Sequence, residues 1–127
     1  MYELSIEQFT RYVANLVETL GNTTLNNPDN EETFPIYVVS NPMQTIKKSE
    51  NNLPIYSRFS ITVENWNNSK YEAMKLHQKT YELLRKYNFS LTGSPIDLYD
   101  EITKKYRFGS RYEVNYNGLT NSFERII

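Results

Sequence analysis

The sequence predicts an α+β fold, a two-layer sandwich in which two helices pack on one face of a mainly antiparallel four-stranded sheet. Two segments have apolar residues at helical spacing, others alternate between apolar and polar residues, and the predicted strands are joined closely enough for antiparallel pairing. The predicted order is α-β-β-α-β-β. A chain of 127 residues with 39% hydrophobic content is the size of one domain, residues 1–127, and can bury a single core.

The first helix is predicted for residues 5–20, where apolar side chains recur every three or four positions and form one stripe. Ser5 and Gln8 have the spacing of a capping box, in which the two residues satisfy each other's free backbone amides. Leu4 and Phe9 stand at the positions of a hydrophobic staple. The polar residues 22–33 that follow predict an exposed connector.

Two strands are predicted after this connector. Residues 35–39 are β-branched and aromatic, and residues 55–66 alternate, with Phe59, Ile61 and Val63 on one face and polar residues on the other. Residues 40–52 between them are polar and show no period, which predicts a long loop. Loops of that length tend to be functional or disordered.

The second half of the chain repeats the order of helix and two strands. Ser69 and Glu72 form a second capping-box pattern, which opens a predicted helix over residues 69–87. Residues 89–93 and 105–116 are predicted strands, separated by a turn-rich excursion over 94–103. Asn117 and Gly118 are a hairpin signal, so residues 118–127 pair back as an edge strand or form an arm, and the arm is weakly favoured.

The composition excludes several classes of partner. Lys and Arg number 14 against 15 acidic residues, giving a net charge of -1, so no global positive field would attract nucleic acid or anionic lipid. The chain has no cysteine, which excludes disulfides and thiolate metal sites. The sequence has no apolar run long enough to predict a membrane span, and no basic start that would predict a secretion signal. We therefore expect protein partners and no membrane.

Residues suited to catalysis are few. His77, the only histidine, lies within the apolar stripe of the second predicted helix, which favours a structural imidazole. Asp97, Asp100 and Glu101 could hold a hard cation or act as a carboxylate pair in a small hydrolase, but solvated loop charges are the favoured interpretation. The glycines form no phosphate-binding motif. The sequence therefore predicts no catalytic residue, no metal and no cofactor.

The strand over residues 104–112 interleaves basic and aromatic residues, as the sheets of nucleic-acid-binding modules do. This supports an alternative function, a single-stranded nucleic-acid-binding α+β module. Alternation, however, places Tyr106, Phe108 and Tyr112 on one face and the basic residues on the other. Core aromatic residues with a solvated basic face are therefore the favoured interpretation.

Several segments resemble a known family. Residues 56–66 read YSRFSITVENW and lead into SKYEAM at 69–74, and residues 88–100 read NFSLTGSPIDLYD before YRFGSRY at 106–112. In pattern and order these segments resemble the tail terminator proteins of long-tailed bacteriophages, also called tail completion or head-tail joining proteins. The resemblance covers roughly residues 56–116.

This resemblance implies an assembly protein that is not an enzyme. It would form a homo-hexameric ring that caps the tail tube, stops its polymerisation and provides the docking surface for the head connector. The implied partners are copies of itself, the major tail tube protein and the head connector or stopper protein, while DNA passes through the lumen without specific binding. The free chain could be a monomer that closes into a ring only on the tail. Assembly would take place in the cytoplasm of a bacterial host, and the protein would end at the head-tail interface of the virion.

The predicted interface has axial and lateral parts. Residues 41–53 and 94–103 are polar with apolar anchors, so we expect them to project and carry axial contacts. Lateral packing is expected to use sheet edges and the aromatic face around Tyr112 and Tyr116. Arg107 and Arg111 are also predicted interface residues. The predicted interface residues of the two projecting segments are Met43, Ile46, Leu53, Ile96, Leu98, Tyr99 and Asp100.

Overall fold

The structure is a computed structural model that describes residues 4–29 and 32–126. The chain alternates between helices and groups of strands in the order α-β-β-β-α-β-β-β. Its elements are α1 (Ile6–Glu18), β1 (Thr23–Thr24), β2 (Ile36–Glu50), β3 (Leu53–Asn67), α2 (Lys70–Lys86), β4 (Ser90–Asp100), β5 (Lys105–Asn117) and β6 (Ser122–Glu124).

The strands form one six-stranded mixed sheet in the order β1-β2-β3-β5-β4, with β6 also paired to β5. Strand β1 is parallel to β2, and the other pairs are antiparallel. Strands β4 and β6 lie end to end along the same side of β5, because β3 occupies its other side. The predicted four-stranded antiparallel sheet and the predicted order α-β-β-α-β-β are therefore wrong.

The predicted loop over residues 40–52 is mostly strand. Strand β2 continues to Glu50 and pairs with β3 up to Leu53, so the two strands form a long hairpin. Asn51 and Asn52 make its turn at φ 52° and 63°, a left-handed conformation that asparagine tolerates better than most residues. The outer part of β2 is exposed on both faces, so it has no alternation of apolar and polar residues by which a strand is recognised.

The predicted excursion over residues 94–103 is also mostly strand. Strand β4 continues to Asp100 through an irregularity between Thr92 and Ile96, where Gly93 adopts φ 74°. Such a bulge breaks the period of two. The chain end forms the edge strand β6 and not the favoured arm, since Phe123 packs against the main core. Ile127 lies outside the described residues.

The predicted exposed connector over residues 22–33 contains the short strand β1, which pairs with Tyr37 and Val38 of β2. Beyond the connector, Phe34 packs against Ile36, Val38 and Trp66 in a second small apolar cluster. Residues 30 and 31 lie outside the described residues.

The helix starts follow the predicted capping. In α1, the Ser5 hydroxyl accepts a hydrogen bond from the Gln8 amide at 3.0 Å, and the Gln8 side chain accepts one from the Ser5 amide at 2.9 Å. This confirms the first capping box. At α2, the Ser69 hydroxyl accepts from the Glu72 amide at 3.3 Å, but the Ser69 amide donates to Asn67 Oδ1 at 3.2 Å. The second box is therefore only half formed.

The main core lies between the helices and one face of the sheet, which we term the helix-covered face; the opposite side is the helix-free face. The rings of Phe9 and Phe59 stack at 4.6 Å between α1 and β3, and Leu84 of α2 joins the same cluster. Helix α1 packs mainly on β2, and α2 packs mainly on β3 and β5. Strand β4 consequently lies at the margin of the area that the helices cover, with Leu91 and Tyr99 each 44% exposed.

Candidate interaction surfaces

A buried ion pair organises the helix-free face. Arg107 of β5 donates from Nε to Glu64 Oε1 at 2.9 Å and from its terminal nitrogen Nη2 to Oε2 at 3.1 Å. The Glu64 side chain is only 5% exposed. The Arg107 guanidinium also lies 4.7 Å from the Trp66 ring centroid, a cation-π distance. This geometry fixes the arginine to its own sheet.

Two further arginines of the helix-free face are bound by neutral groups. Arg111 donates to the Thr62 hydroxyl at 2.9 Å and to the Ser60 hydroxyl at 2.8 Å. Arg58 donates from Nε to Asn115 Oδ1 at 3.3 Å. These contacts tie β3 to β5 and hold the guanidinium groups against the sheet, so this part of the face is polar.

The aromatic residues expected to make lateral contacts lie on the other side of the sheet. Tyr112 is fully buried and Tyr116 is 7% exposed, both within the main core on the helix-covered face. Neither side chain is available to another subunit, which corrects the expectation of an aromatic lateral contact. The alternation of residues in β5 predicted that its aromatic and basic side chains lie on opposite faces of the sheet. It did not indicate which of the two faces the helices cover.

The two long hairpins place their turns at opposite ends of the sheet. The β2–β3 turn lies where β3 begins, and the β4–β5 turn lies where β3 ends, because Asn67 pairs with Tyr106. Five of the predicted interface residues are large, exposed hydrophobics: Met43 (57%), Ile46 (56%), Leu53 (40%), Leu98 (50%) and Tyr99 (44%).

The remaining predicted residues of β4 are less accessible, and the two most exposed large hydrophobic residues of the described part of the chain were not predicted. Ile96 is half-buried, and the Asp100 carboxylate accepts hydrogen bonds from the Thr103 amide and hydroxyl at 2.8 and 2.7 Å. These bonds, from backbone and side chain, lower the pKa of Asp100. Ile102 in the β4–β5 turn is 78% exposed, and Tyr71 in the first turn of α2 is 84% exposed. For Ile102, the sequence did offer a signal, since an apolar isoleucine stands in a segment that was predicted to be turn-rich.

The acidic residues Asp97 and Asp100, which were considered for catalysis, lie on opposite faces of the sheet. Asp97 forms an ion pair with Lys70 at 2.9 Å and lies opposite Phe108 on the helix-covered face. Asp100 lies opposite Lys105 on the helix-free face and closes the β4–β5 turn. Within residues 4–29 and 32–126, no group of three or more His, Cys, Asp or Glu side chains is arranged to hold a metal ion.

His77 is a structural residue between α2 and β5. Its Nε2 lies 2.7 Å from the Ser110 hydroxyl, and its ring meets the Phe108 ring edge-on at 5.1 Å. Burial lowers the pKa of His77 from its ordinary value of 6.5. The neutral imidazole is therefore the form that the folded protein favours.

This lowered pKa predicts a loss of stability in mild acid. The unfolded chain binds a proton at His77 more readily than the folded chain does, so stability falls as pH drops from 6.5 towards the folded pKa. We expect the melting temperature to fall between about pH 7.5 and about pH 5.5 by more in the wild type than in His77→Gln. Thermal melts followed by circular dichroism measure this, and an equal fall in both proteins would contradict it.

No protein-family model matches the chain, and no curated protein is significantly similar to it. Among the described residues, neither helix has the length and apolar character needed to cross a membrane.

Proposed function

We propose that this chain is a phage tail terminator, a head-tail joining protein that forms a ring on the end of the tail tube. The ring stops tube polymerisation and presents a docking surface to the head connector. The resemblance of residues 56–116 to that family motivates the proposal. The disposition of exposed apolar residues on the fold supports it.

The observation that carries the proposal is the pair of hairpins at opposite ends of one sheet. A terminator must bind two different partners, the tube on one side and the connector on the other, so it needs two unlike contact surfaces that face apart. The β2–β3 hairpin exposes Met43 and Ile46 at one end, and the β4–β5 hairpin exposes Leu98, Tyr99 and Ile102 at the other. Exposed apolar side chains of this kind mark protein contacts.

The features of the described residues support a binding role over catalysis. Asp97 and Asp100 lie on opposite faces, and His77 is bound to Ser110 inside the fold. A protein that works through its surfaces needs no converging reactive groups. In this function the chain is not an enzyme and uses no cofactor.

The nucleic-acid-binding alternative gains no support from the geometry. Binding of single strands uses exposed aromatic rings next to basic groups. Here Tyr112 is buried beneath the helices, while Arg107 and Arg111 on the opposite face bind Glu64 and neighbouring hydroxyls. In the proposed function DNA passes through the ring lumen without specific binding.

The proposed function implies specific binding partners and a location in the virion. Copies of this chain form a homo-hexameric ring, the major tail tube protein binds one side, and the head connector or stopper protein binds the other. Assembly takes place in the cytoplasm of the bacterial host, after which the protein remains at the head-tail interface of the virion.

Immunogold labelling of intact virions with an antibody to this chain tests the proposal. We expect the label at one position, the junction of head and tail, and on one end of tails that have not joined heads. Label along the whole tail, at its distal tip or over the head would contradict the proposed function. Virions of an unrelated phage provide the control for nonspecific label.

A further inference from the structure

Strands β4 and β6 meet end to end beside β5, and a groove opens where they meet. Ser90 at the start of β4 pairs with Glu113, and Glu124 at the end of β6 pairs with Asn115, so the two strand ends are neighbours. Three adjoining clefts lie along this seam, and Arg125 lines all three. Together they extend from the carboxyl end of α2 to the helix-free face.

The clefts gather positive charge in a chain whose net charge is -1. We term them the seam groove, which is defined by its four basic residues, Arg58, Arg85, Lys86 and Arg125. Two acidic residues, Glu82 and Glu124, lie in the same walls. The two larger clefts have volumes of about 580 and 640 Å³, which is in the range of ligand-binding clefts.

The four basic residues have no anionic partner on the described part of the chain. None of them takes part in an ion pair within residues 4–29 and 32–126. Arg85 and Arg125 line the same two clefts, and Arg125 Nη2 lies 3.5 Å from the Arg85 carbonyl oxygen. Like charges that lie close together repel each other, so an anion bound between them would relieve this repulsion.

The two acidic residues of the seam groove are held by neutral partners. The Glu124 carboxylate accepts hydrogen bonds from the Tyr56 hydroxyl at 2.9 Å and from the Asn117 side chain at 3.1 Å. Glu82 accepts one from the Gln78 side chain at 3.3 Å. The cations therefore remain available to an external anion, but that ligand must avoid the two carboxylates.

The spread of the charges favours a peptide over a single oxyanion or a nucleic acid. Arg58 and Lys86 line different clefts, so one phosphate or sulfate ion could not contact all the cations. A nucleic-acid backbone is charged at every nucleotide and would meet Glu82 and Glu124. Its bases would need exposed rings for stacking, whereas the aromatic residues that line the three clefts are buried or half-buried. An extended peptide can place carboxylates at the cations and neutral residues at the acids.

We propose that the seam groove binds an acidic, extended peptide segment of a partner protein. Carboxylates of the segment bind Arg85 and Arg125, and an apolar side chain packs on Leu91, which is 44% exposed and lines the same cleft. The site lies between the two hairpin ends, level with Arg58 and Ser60 of β3. It is a third contact surface and does not depend on the proposed function.

Fluorescence anisotropy with a labelled peptide tests the proposal. The labelled peptide is short and alternates glutamate with neutral residues around one leucine, and a second peptide has glutamine in place of every glutamate. The wild type should bind the acidic peptide and not the glutamine peptide. Binding should weaken as NaCl is raised, because salt screens the attraction between surface charges.

Two double variants that lose the same charge locate the site. Arg85→Gln/Arg125→Gln should bind the acidic peptide about tenfold more weakly than the wild type. Lys47→Gln/Lys48→Gln, in the β2–β3 hairpin, should bind it as the wild type does. All four side chains are exposed, and circular dichroism melts check that both variants fold. If the groove variant is destabilised, Arg85→Gln against Lys48→Gln repeats the comparison, since the Arg85 side chain makes no hydrogen bond within the described residues.

Several results would overturn the proposal. These are no binding of the acidic peptide to the wild type, equal binding of the glutamine peptide, and equal binding by the two double variants. Displacement of the acidic peptide by an equal concentration of inorganic phosphate would indicate a simple oxyanion site instead. Tighter binding of an oligothymidylate of the same net charge would indicate a nucleic-acid site.

Discussion

Gly109→Ala is expected to destabilise the fold more than the same substitution at Gly21 or Gly93. A Cβ at this position would overlap the backbone carbonyl oxygen of Val63, and would lie 2.5 Å from Glu64 Cα and 2.9 Å from its Cγ. Backbone atoms of a central strand cannot move aside as side chains do. Overpacking costs about 1–3 kcal/mol where side chains can adjust, so we expect a loss of about 3 kcal/mol or more here.

Urea unfolding followed by circular dichroism measures this loss, with Gly93→Ala as the matched control. A Cβ added at Gly93 would meet no atom within 4 Å, but the residue adopts φ 74°. An alanine there should cost only the strain of a left-handed conformation, about 1 kcal/mol. Equal losses for the two variants would show that close approach between β3 and β5 does not explain Gly109.

Arg107→Met is expected to have an effect of similar size. The substitution removes both hydrogen bonds to Glu64, whose side chain is 5% exposed, and leaves a nearly buried carboxylate without its cation. Breaking a buried ion pair by removing one partner costs about 3–5 kcal/mol. The methionine keeps an unbranched apolar side chain but loses the cation-π contact with Trp66, so the measured loss combines that contact with the unpaired charge.

Arg111→Met is the control for Arg107→Met, since Arg111 binds the neutral hydroxyls of Thr62 and Ser60. Its loss should be smaller, about 2 kcal/mol, that of hydrogen bonds made by a charged group. The double variant Glu64→Leu/Arg107→Met should recover much of the stability lost in Arg107→Met, because no buried charge then remains. Chemical unfolding of the four proteins would refute this account if the two single arginine variants were equally stable.

The sequence predicted the elements whose pattern is created by burial. Helix α1 and its capping box follow from the stripe around Phe9 and from Ser5 and Gln8. Strand β3 follows from the alternation of Phe59, Ile61 and Val63, all of which are buried in the main core. One-sided burial imposes a period, and the period is visible in the residues.

The elements that were missed lack one-sided burial. The outer part of β2 is exposed on both faces, and the irregularity at Gly93 shifts the alternation of β4. Strand β1 has only two residues, Thr23 and Thr24, and depends on its distant partner. The Asn51–Asn52 turn was the available signal for the β2–β3 hairpin.

Only part of the candidate surfaces could be predicted from the sequence. Apolar anchors such as Met43 and Leu98 stand out within polar segments, and both are exposed. The ion pair of Glu64 with Arg107 joins residues 43 positions apart and depends on the register of β3 with β5. Register between strands that are distant in sequence follows from the packed sheet and cannot be read from either strand alone.

The length of phage tails assembled without this protein tests the proposed function most directly. The proposed function predicts that a phage deprived of this chain gives tubes of widely varying length that carry no heads, and that supplying the wild-type chain restores one length and joined virions. Electron microscopy of negatively stained lysates measures both. Tails of normal, uniform length that join heads in the absence of the protein would contradict the account.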